Sequence, residues 1–142
     1  MTFVDIVSTS NIILVIWQVH AQTYFLLAFM MGIVWNQFTN SLIKVFFKEP
    51  RPSNIHYNDD PVEKYGMPSG HTQHVVFCVT FLFLLHKNAC VVFVSLVIAL
   101  HVAFQRFFSK AHTIKQIVAG ACIGALNAWI FVNTVKKFLA KS

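Results

Sequence analysis

Charged residues are scarce in this chain. Asp, Glu, Lys and Arg make up 11% of its 142 residues, whereas hydrophobic residues make up 56%. A soluble domain carries about 25% charged residues, so this composition excludes an ordinary soluble domain. A chain of this kind lies in lipid, where only helices or a closed barrel satisfy every backbone polar group. The length allows one domain, which we predict to cover residues 1–142.

Cysteine and acidic residues are also few. Cys78, Cys90 and Cys122 lie in apolar stretches without the Cys–His spacing of a metal site, which indicates buried thiols. The net charge is +6, because eleven Lys and Arg face only five Asp and Glu. Many of the basic residues lie at the ends of apolar runs, where they contact lipid headgroups or solvent. We therefore predict a lipid membrane, and no nucleic acid, as the partner.

Long apolar runs dominate the rest of the chain. Four are candidates to cross a bilayer as helices: Tyr24–Phe47, His71–Leu85, Ala89–Phe108 and Thr113–Val135. The second, of about 15 residues, is short for a span. A fifth, Phe3–Gln18, contains Asp5, and both a spanning and an interfacial position are open for it. The predicted fold class is all-α, an integral-membrane bundle of four to five transmembrane helices. If the fifth run spans, its amino terminus lies on the same side as the polar residues described next.

Those polar residues all fall on one side of the membrane. The hairpin at residues 86–88 is very short, so the runs before and after it are antiparallel neighbours. The end of the run Tyr24–Phe47 therefore faces the same side as the start of the second run, the end of the third and the start of the fourth. Side chains at these four points can converge into one site.

The first set closes the run Tyr24–Phe47. Asn36, Asn40 and Lys44 are spaced four residues apart and share one helical face. A polar stripe of this kind needs buried partners in a membrane. Prolines on either side of Arg51 hold it in an extended segment that can return beside Lys44. Two close cations indicate an anion site, while the alternative is a snorkelling Lys and a solvated Arg.

The second set is Pro68-Ser69-Gly70-His71, directly before the second run. Ser is a preferred N-cap, and Gly lets a ligand approach the backbone closely. Backbone N–H groups at a helix start bind phosphate well, and His71 at the rim can transfer a proton. The alternative is a capped helix with an interfacial histidine. His71 and His74 have no third ligand at suitable spacing, so we predict no metal site and no cofactor.

The third set joins the third and fourth runs. Arg106 closes one helix, His112 opens the next, and Gln116 lies one turn further on the same face. The Gln116 oxygen can accept a hydrogen bond from one imidazole nitrogen of His112, which fixes the tautomer and directs the other nitrogen outward. Read alone, this segment is also compatible with an ordinary connecting hairpin.

The three sets together resemble the signature motifs of the type 2 phosphatidic acid phosphatase superfamily, which includes the vanadium haloperoxidases. The motif segments are Lys44–Pro52, Pro68–His71 and Arg106–His112. Within the superfamily the chain is most similar to dolichyl-diphosphatases. That likeness rests on the runs Asn40-Ser41-Leu42-Ile43-Lys44, Glu49-Pro50-Arg51-Pro52 and Lys64-Tyr65-Gly66-Met67-Pro68-Ser69, with Gln73, His112-Thr113, Gln116-Ile117-Val118 and Gly120.

The resemblance implies a PAP2/haloperoxidase-like core and a metal-independent phosphatase. His112 would attack phosphorus and form a phosphohistidine, and His71 would protonate the leaving group. The residues implied to hold the phosphoryl oxygens are Lys44, Arg51, Ser69, Gly70 and Arg106. The implied substrate is a polyprenyl (dolichyl) diphosphate, recycled for N-glycosylation in the endoplasmic reticulum with the site facing the lumen. Three cations would supply the charge stabilisation that a metal ion provides elsewhere.

Two residues depart from the wider superfamily. Gln116 stands where most members have Asp, as in the dolichyl-diphosphatase pattern, and Gln105 replaces a Ser before Arg106. The phosphate-holding residues do not distinguish dolichyl diphosphate from undecaprenyl diphosphate or phosphatidic acid. A catalytically weak lipid-phosphate-binding or scaffold protein is the remaining alternative, and His112→Ala discriminates the two classes because it abolishes turnover alone.

Overall fold

The computed structural model describes residues 3–52, 64–85 and 87–141. These residues form five α-helices: α1 Phe3–Val19, α2 Thr23–Phe47, α3 Gly70–Leu84, α4 Ala89–Phe108 and α5 Ile114–Leu139. By length and composition, α2, α4 and α5 can cross a membrane, while α1 and α3 are shorter apolar helices. The predicted helical membrane bundle is confirmed, and each helix begins and ends within a few residues of its predicted run. The predicted hairpin at residues 86–88 includes His86, which lies outside the described residues.

Large apolar side chains cover the outside of the bundle. Phe46 is 88% exposed and Phe108 is 73% exposed, and many other aromatic and aliphatic side chains are similarly open. A soluble protein rarely presents so much continuous apolar surface. The surface fits hydrocarbon rather than water, in agreement with the composition.

The helix α3 lies at the centre and packs against all four other helices. Its later half carries the apolar core, where Phe77 and Phe81 contact Phe29 of α2 with ring centroids 5.8 and 5.2 Å apart. All three rings are fully buried. Aromatic pairs at such separations stabilise packing by about 0.5–1.5 kcal/mol beyond simple burial. This apolar half anchors α3, so that its polar start is held at the opposite end of the bundle.

Two glycines bring α5 against the start of α3. A Cβ atom on Gly120 would lie 2.5 Å from the backbone oxygen of Ser69, and one on Gly124 would collide with the backbone oxygen of Gln73. Small residues four apart permit this close helix approach within membranes. The backbone N–H of Ser69 donates to the backbone oxygen of Gln116 at 3.0 Å. The start of α3 and the start of α5 are thus fixed together.

A buried polar network joins α2, α3 and α5. Gln73 Nε2 donates to Asn36 Oδ1 at 3.0 Å, and Asn40 Nδ2 donates to Gln73 Oε1 at 2.8 Å. Asn127 Nδ2 donates to Asn36 Oδ1 at 2.8 Å. Asn40 Nδ2 also reaches the backbone oxygen of Pro68 at 3.3 Å. Leaving one such buried group without its partner costs about 1–3 kcal/mol, so the network favours one arrangement of the three helices.

Candidate active site

The site is assembled from helix ends. The end of α2, the start of α3, the end of α4 and the start of α5 meet at one end of the bundle, together with the first turn of α1. The segment that follows α2 contacts the segment that precedes α3 there. The Gly66 N–H donates to the Glu49 backbone oxygen at 2.8 Å. Most of the residues between these two segments, 53–63, lie outside the described part of the chain.

The imidazole of His112 is held in one tautomer. Its Nδ1 lies 2.9 Å from the Gly66 backbone oxygen and 3.2 Å from Gln116 Oε1. Both of these atoms are acceptors, so Nδ1 carries the proton and Nε2 keeps its lone pair. Arg51 Nη1 lies 3.5 Å from Nε2. The Nε2 lone pair therefore faces a guanidinium, a group suited to hold an oxyanion.

The side-chain amide of Gln116 has four hydrogen-bonding partners, of which His112 is one. Its Oε1 accepts from the Thr113 backbone N–H at 3.2 Å, as part of a capping box at the start of α5. Its Nε2 donates to Glu49 Oε1 and to the Pro50 backbone oxygen, each at 3.0 Å. These contacts settle which end of the amide is oxygen. The amide thus presents its oxygen to His112 and its nitrogen to a carboxylate.

Gly66 makes room for this arrangement. A Cβ atom there would lie 2.5 Å from Gln116 Oε1 and 2.7 Å from its Cδ and Nε2. Any side chain at position 66 would displace the amide that orients His112. The glycine in the Lys-Tyr-Gly-Met-Pro-Ser run is therefore required by close packing.

Burial and neighbouring cations keep His112 neutral. The side chain is 2% exposed. Burial first, then the charges of Arg51 and Arg106, lower the pKa of His112 to about 3, although its hydrogen bond to Gln116 acts in the opposite direction. Its Nε2 lone pair is therefore available across the neutral pH range.

The charges of all three predicted cations act on His112. Lys44 and Arg106 are buried, at 8% and 6% exposed, and Arg51 is half-buried. The charges of Lys44 and Arg106 act on both His71 and His112. Cations at this depth in a membrane protein mark a binding site for an anion more often than a lipid-facing surface.

Ser69 and Gly70 form the start of α3, as predicted from the motif. Ser69 is fully buried and is the N-cap residue, but its side chain makes no capping hydrogen bond. Its Oγ instead lies 3.0 Å from Thr72 Oγ1. Ser69 therefore does not cap the first N–H groups of α3 with its side chain, and a phosphate at the helix start would be a suitable acceptor for them.

Two carboxylates at the site were missed by the sequence analysis. Asp5 Oδ1 lies 2.8 Å from His71 Nε2, and Glu49 contacts Gln116 as described above. Glu49 also accepts from Lys115 Nζ at 2.8 Å, and the two hydrogen bonds lower the pKa of the Glu49 carboxyl. The available signals were an acid inside an otherwise apolar run and an acid next to the Pro50 turn.

An apolar groove opens beside His112. It has a volume of about 500 Å³. Its lining residues are Pro52, Phe107, Phe108, Lys110, His112, Thr113, Ile114 and Lys115. Within the described ranges, no group of three or more His, Cys, Asp or Glu side chains could hold a metal ion. The site thus combines a neutral imidazole, three cations and an apolar groove.

Comparison with known families identifies the superfamily of the chain. The PAP2 superfamily model matches residues 20–140. The chain belongs to the PAP2 superfamily. The match includes all the predicted site residues and leaves out Asp5.

Similar curated proteins of the superfamily are dolichyldiphosphatases, which confirms the predicted likeness. The Dolichyldiphosphatase of Saccharomyces cerevisiae is 30% identical over 113 residues, which cover 70% of this chain and 47% of the yeast protein. Dolichyldiphosphatase 1 of Homo sapiens is 31% identical over 128 residues, which cover 77% and 53%. This PAP2-superfamily chain thus spans about half the length of the relatives it matches. No solved structure matches it.

Proposed function

We propose that this chain hydrolyses a polyprenyl diphosphate to the monophosphate, with dolichyl diphosphate as the substrate and His112 as the nucleophile. The observation that carries the proposal is the fixed tautomer of His112. Its Nδ1 donates to two oxygens, and its Nε2 faces Arg51 at 3.5 Å. A neutral imidazole with an aimed lone pair, set among three cations, suits attack on phosphorus.

The first step transfers a phosphoryl group to the protein. A bond forms between His112 Nε2 and the terminal phosphorus, while the bond from phosphorus to the bridging oxygen breaks. The departing dolichyl phosphate takes a proton from His71. Lys44, Arg51 and Arg106, with the N–H groups at the start of α3, stabilise the three equatorial oxygens.

The second step releases phosphate. A water molecule gives a proton to His71 as its oxygen bonds to phosphorus, and the Nε2–P bond of His112 breaks. Both histidines return to their starting states, so the net reaction consumes one water. Since the cations provide the charge stabilisation, this route needs no metal ion.

The apolar groove supports a lipid substrate. It begins at His112 and is lined by Phe107, Phe108 and Ile114. A chain held there has its phosphate end beside the nucleophile, while the remainder stays among the exposed apolar side chains of the bundle. The names of the relatives favour a dolichyl tail. We extend this to carrier recycling for N-glycosylation, in the endoplasmic reticulum membrane with the site facing the lumen.

The test is phosphate release by the detergent-solubilised chain with EDTA present. We expect release from dolichyl diphosphate to survive EDTA and to exceed release from phosphatidic acid. It should disappear in His112→Ala and remain in His20→Ala, a control that removes an exposed histidine just beyond the end of α1.

Other results would change the proposal in defined ways. Faster release from phosphatidic acid would keep the mechanism and change the substrate. A requirement for a divalent cation would contradict the metal-free route. A folded sample that releases no phosphate from either lipid would refute the enzyme and favour a lipid-phosphate-binding role.

A further inference from the structure

Asp5 belongs to none of the three motif segments, yet it contacts His71, the last residue of the second segment. Asp5 lies in the first turn of α1, and its Oδ1 is 2.8 Å from His71 Nε2 across 66 residues of chain. The two side chains are 35% and 31% exposed. An acid in the first turn of an apolar helix is explained in part by the helix dipole. The dipole alone, however, gives no reason for contact with a histidine of α3.

The contact assigns the two nitrogens of His71 different tasks. An ionised carboxylate can accept hydrogen bonds but cannot donate them. The hydrogen atom of this contact is therefore on Nε2 of His71, which donates to Asp5. The remaining nitrogen, Nδ1, is then the atom that exchanges a proton with a substrate. A rigid Nε2–H contact also limits rotation of the ring, which keeps Nδ1 in one direction.

Charge explains why an ionised partner is needed at His71 and not at His112. A histidine that acts as an acid must carry a positive charge before it gives up its proton. The positive charges of Lys44 and Arg106 both act on His71. Their positive charges oppose a third one nearby, whereas the Asp5 carboxylate attracts it. His112 must stay neutral to attack, and its partner, Gln116, is a neutral amide. Each histidine thus has the partner that its proposed task requires.

We propose that Asp5 is a positioning residue for proton transfer by His71, a role that rests on the proposed function. As the bond from phosphorus to the leaving oxygen breaks, its electron pair takes the proton from His71 Nδ1. The Asp5 carboxylate stabilises the imidazolium before this transfer and again when water returns a proton to Nδ1. Asp5 itself makes no contact with the reacting atoms and keeps its charge throughout.

The test compares two phosphates of similar size in the first turnover. Phenyl phosphate needs a proton on its leaving oxygen, whereas 4-nitrophenyl phosphate releases a phenolate that is stable without one. Asp5→Asn keeps the size of the side chain and removes its charge. We expect this variant to slow release of phenol by about 100-fold, the lower end of what a positioned acid contributes. The first-turnover burst of 4-nitrophenolate should change by less than about threefold, because that step does not depend on the acid.

Two further variants separate this role from a structural one. Asp5→Glu keeps the charge and should recover much of the phenyl phosphate rate. Ser10→Ala, on the same helix with an exposed side chain whose Oγ donates to the backbone oxygen of Ile6, should match the native chain on both substrates. Thermal melting of each variant reports whether the bundle is intact.

The outcomes distinguish failure of this inference from failure of the proposed function. If the native chain turns over both phosphates and Asp5→Asn slows them equally or not at all, the role of Asp5 is refuted and the phosphatase stands. Equal slowing with a lowered melting temperature would assign Asp5 to packing alone. If the native chain turns over neither phosphate nor a polyprenyl diphosphate, both proposals fail.

Discussion

The contact between Gln116 and Glu49 predicts that a carboxylate at position 116 destabilises the folded chain. Gln116→Glu keeps the shape of the side chain but replaces the donating Nε2 with an oxygen 3.0 Å from Glu49 Oε1. Two ionised oxygens at that distance repel by about 5 kcal/mol at an effective dielectric constant of about 20. The pair can avoid this by binding one proton, which costs about 4 kcal/mol at pH 7 for a carboxyl of ordinary pKa.

Protonation costs less free energy than the repulsion, so protonation determines the expected loss of stability. The contact of Lys115 Nζ with Glu49 Oε2 at 2.8 Å is present in the native chain as well, so it does not change this difference. We therefore expect Gln116→Glu to lose about 4 kcal/mol of stability at pH 7, or about 13 °C in melting temperature. At pH 5 the proton costs only about 1 kcal/mol, so the gap to the native chain should narrow.

The assay is thermal melting in detergent at both pH values, with phosphate release measured on the folded fraction. The protonated carboxyl that this variant carries at position 116 would still accept from His112, so the rate per folded molecule should fall by no more than a few-fold. Glu49→Gln combined with Gln116→Glu restores one donor and one carboxylate, and it should recover most of the lost stability. If the double variant melts no higher than Gln116→Glu, the contact between positions 49 and 116 does not have the energetic role assigned to it.

Three further predictions follow from the packing and charge of the site. Gly120→Ala places a methyl group against the Ser69 backbone oxygen, so it should lower the stability measured by melting by about 1–3 kcal/mol and lower turnover at least tenfold. Cys122→Ala, on the exposed side of α5, should change neither stability nor turnover. The pKa of folded His112 is about 3, against 6.5 for an unperturbed histidine, so its contribution to stability is complete above pH 6.5 and decreases as the pH falls. Between pH 7 and pH 5 the native chain should lose about 2 kcal/mol of stability relative to His112→Asn. Equal losses in the two proteins would refute the assigned burial of His112. Gln73→Leu removes the amide that joins α2 to α3, and it should cost about 2–4 kcal/mol in melting experiments; a variant as stable as the native chain would show that the polar network contributes little.

The helices and most of the site were predictable because they depend on local patterns. Apolar runs predicted all five helices, three of them of membrane length, and α4 matches its predicted run at both ends. The spacing of Asn36, Asn40 and Lys44 predicted one polar face, and all three are buried. The short hairpins fixed which helix ends share a side. Such features need only the period of a helix and the thickness of a bilayer.

The long-range partners were not predictable from local pattern. Asp5 reaches His71 across 66 residues, and Glu49 reaches Gln116 across 67. The Gly66 backbone oxygen, which shares the His112 proton, carries no sequence signal at all because every residue has one. These contacts depend on how closely α1 and α5 approach α3, and the glycines at the α5 contact set that distance only once the helices are paired.

The most direct test of the account is to trap phosphate on His112. The native chain is mixed with polyprenyl diphosphate labelled on the terminal phosphate, quenched in alkali within the first turnover, and digested for mass spectrometry. We predict a phosphate on the peptide that contains His112, stable in alkali, lost in acid, and absent from His112→Ala. A first turnover that releases labelled phosphate without any labelled protein, or a label that persists in His112→Ala, would contradict the assignment of His112 as the nucleophile.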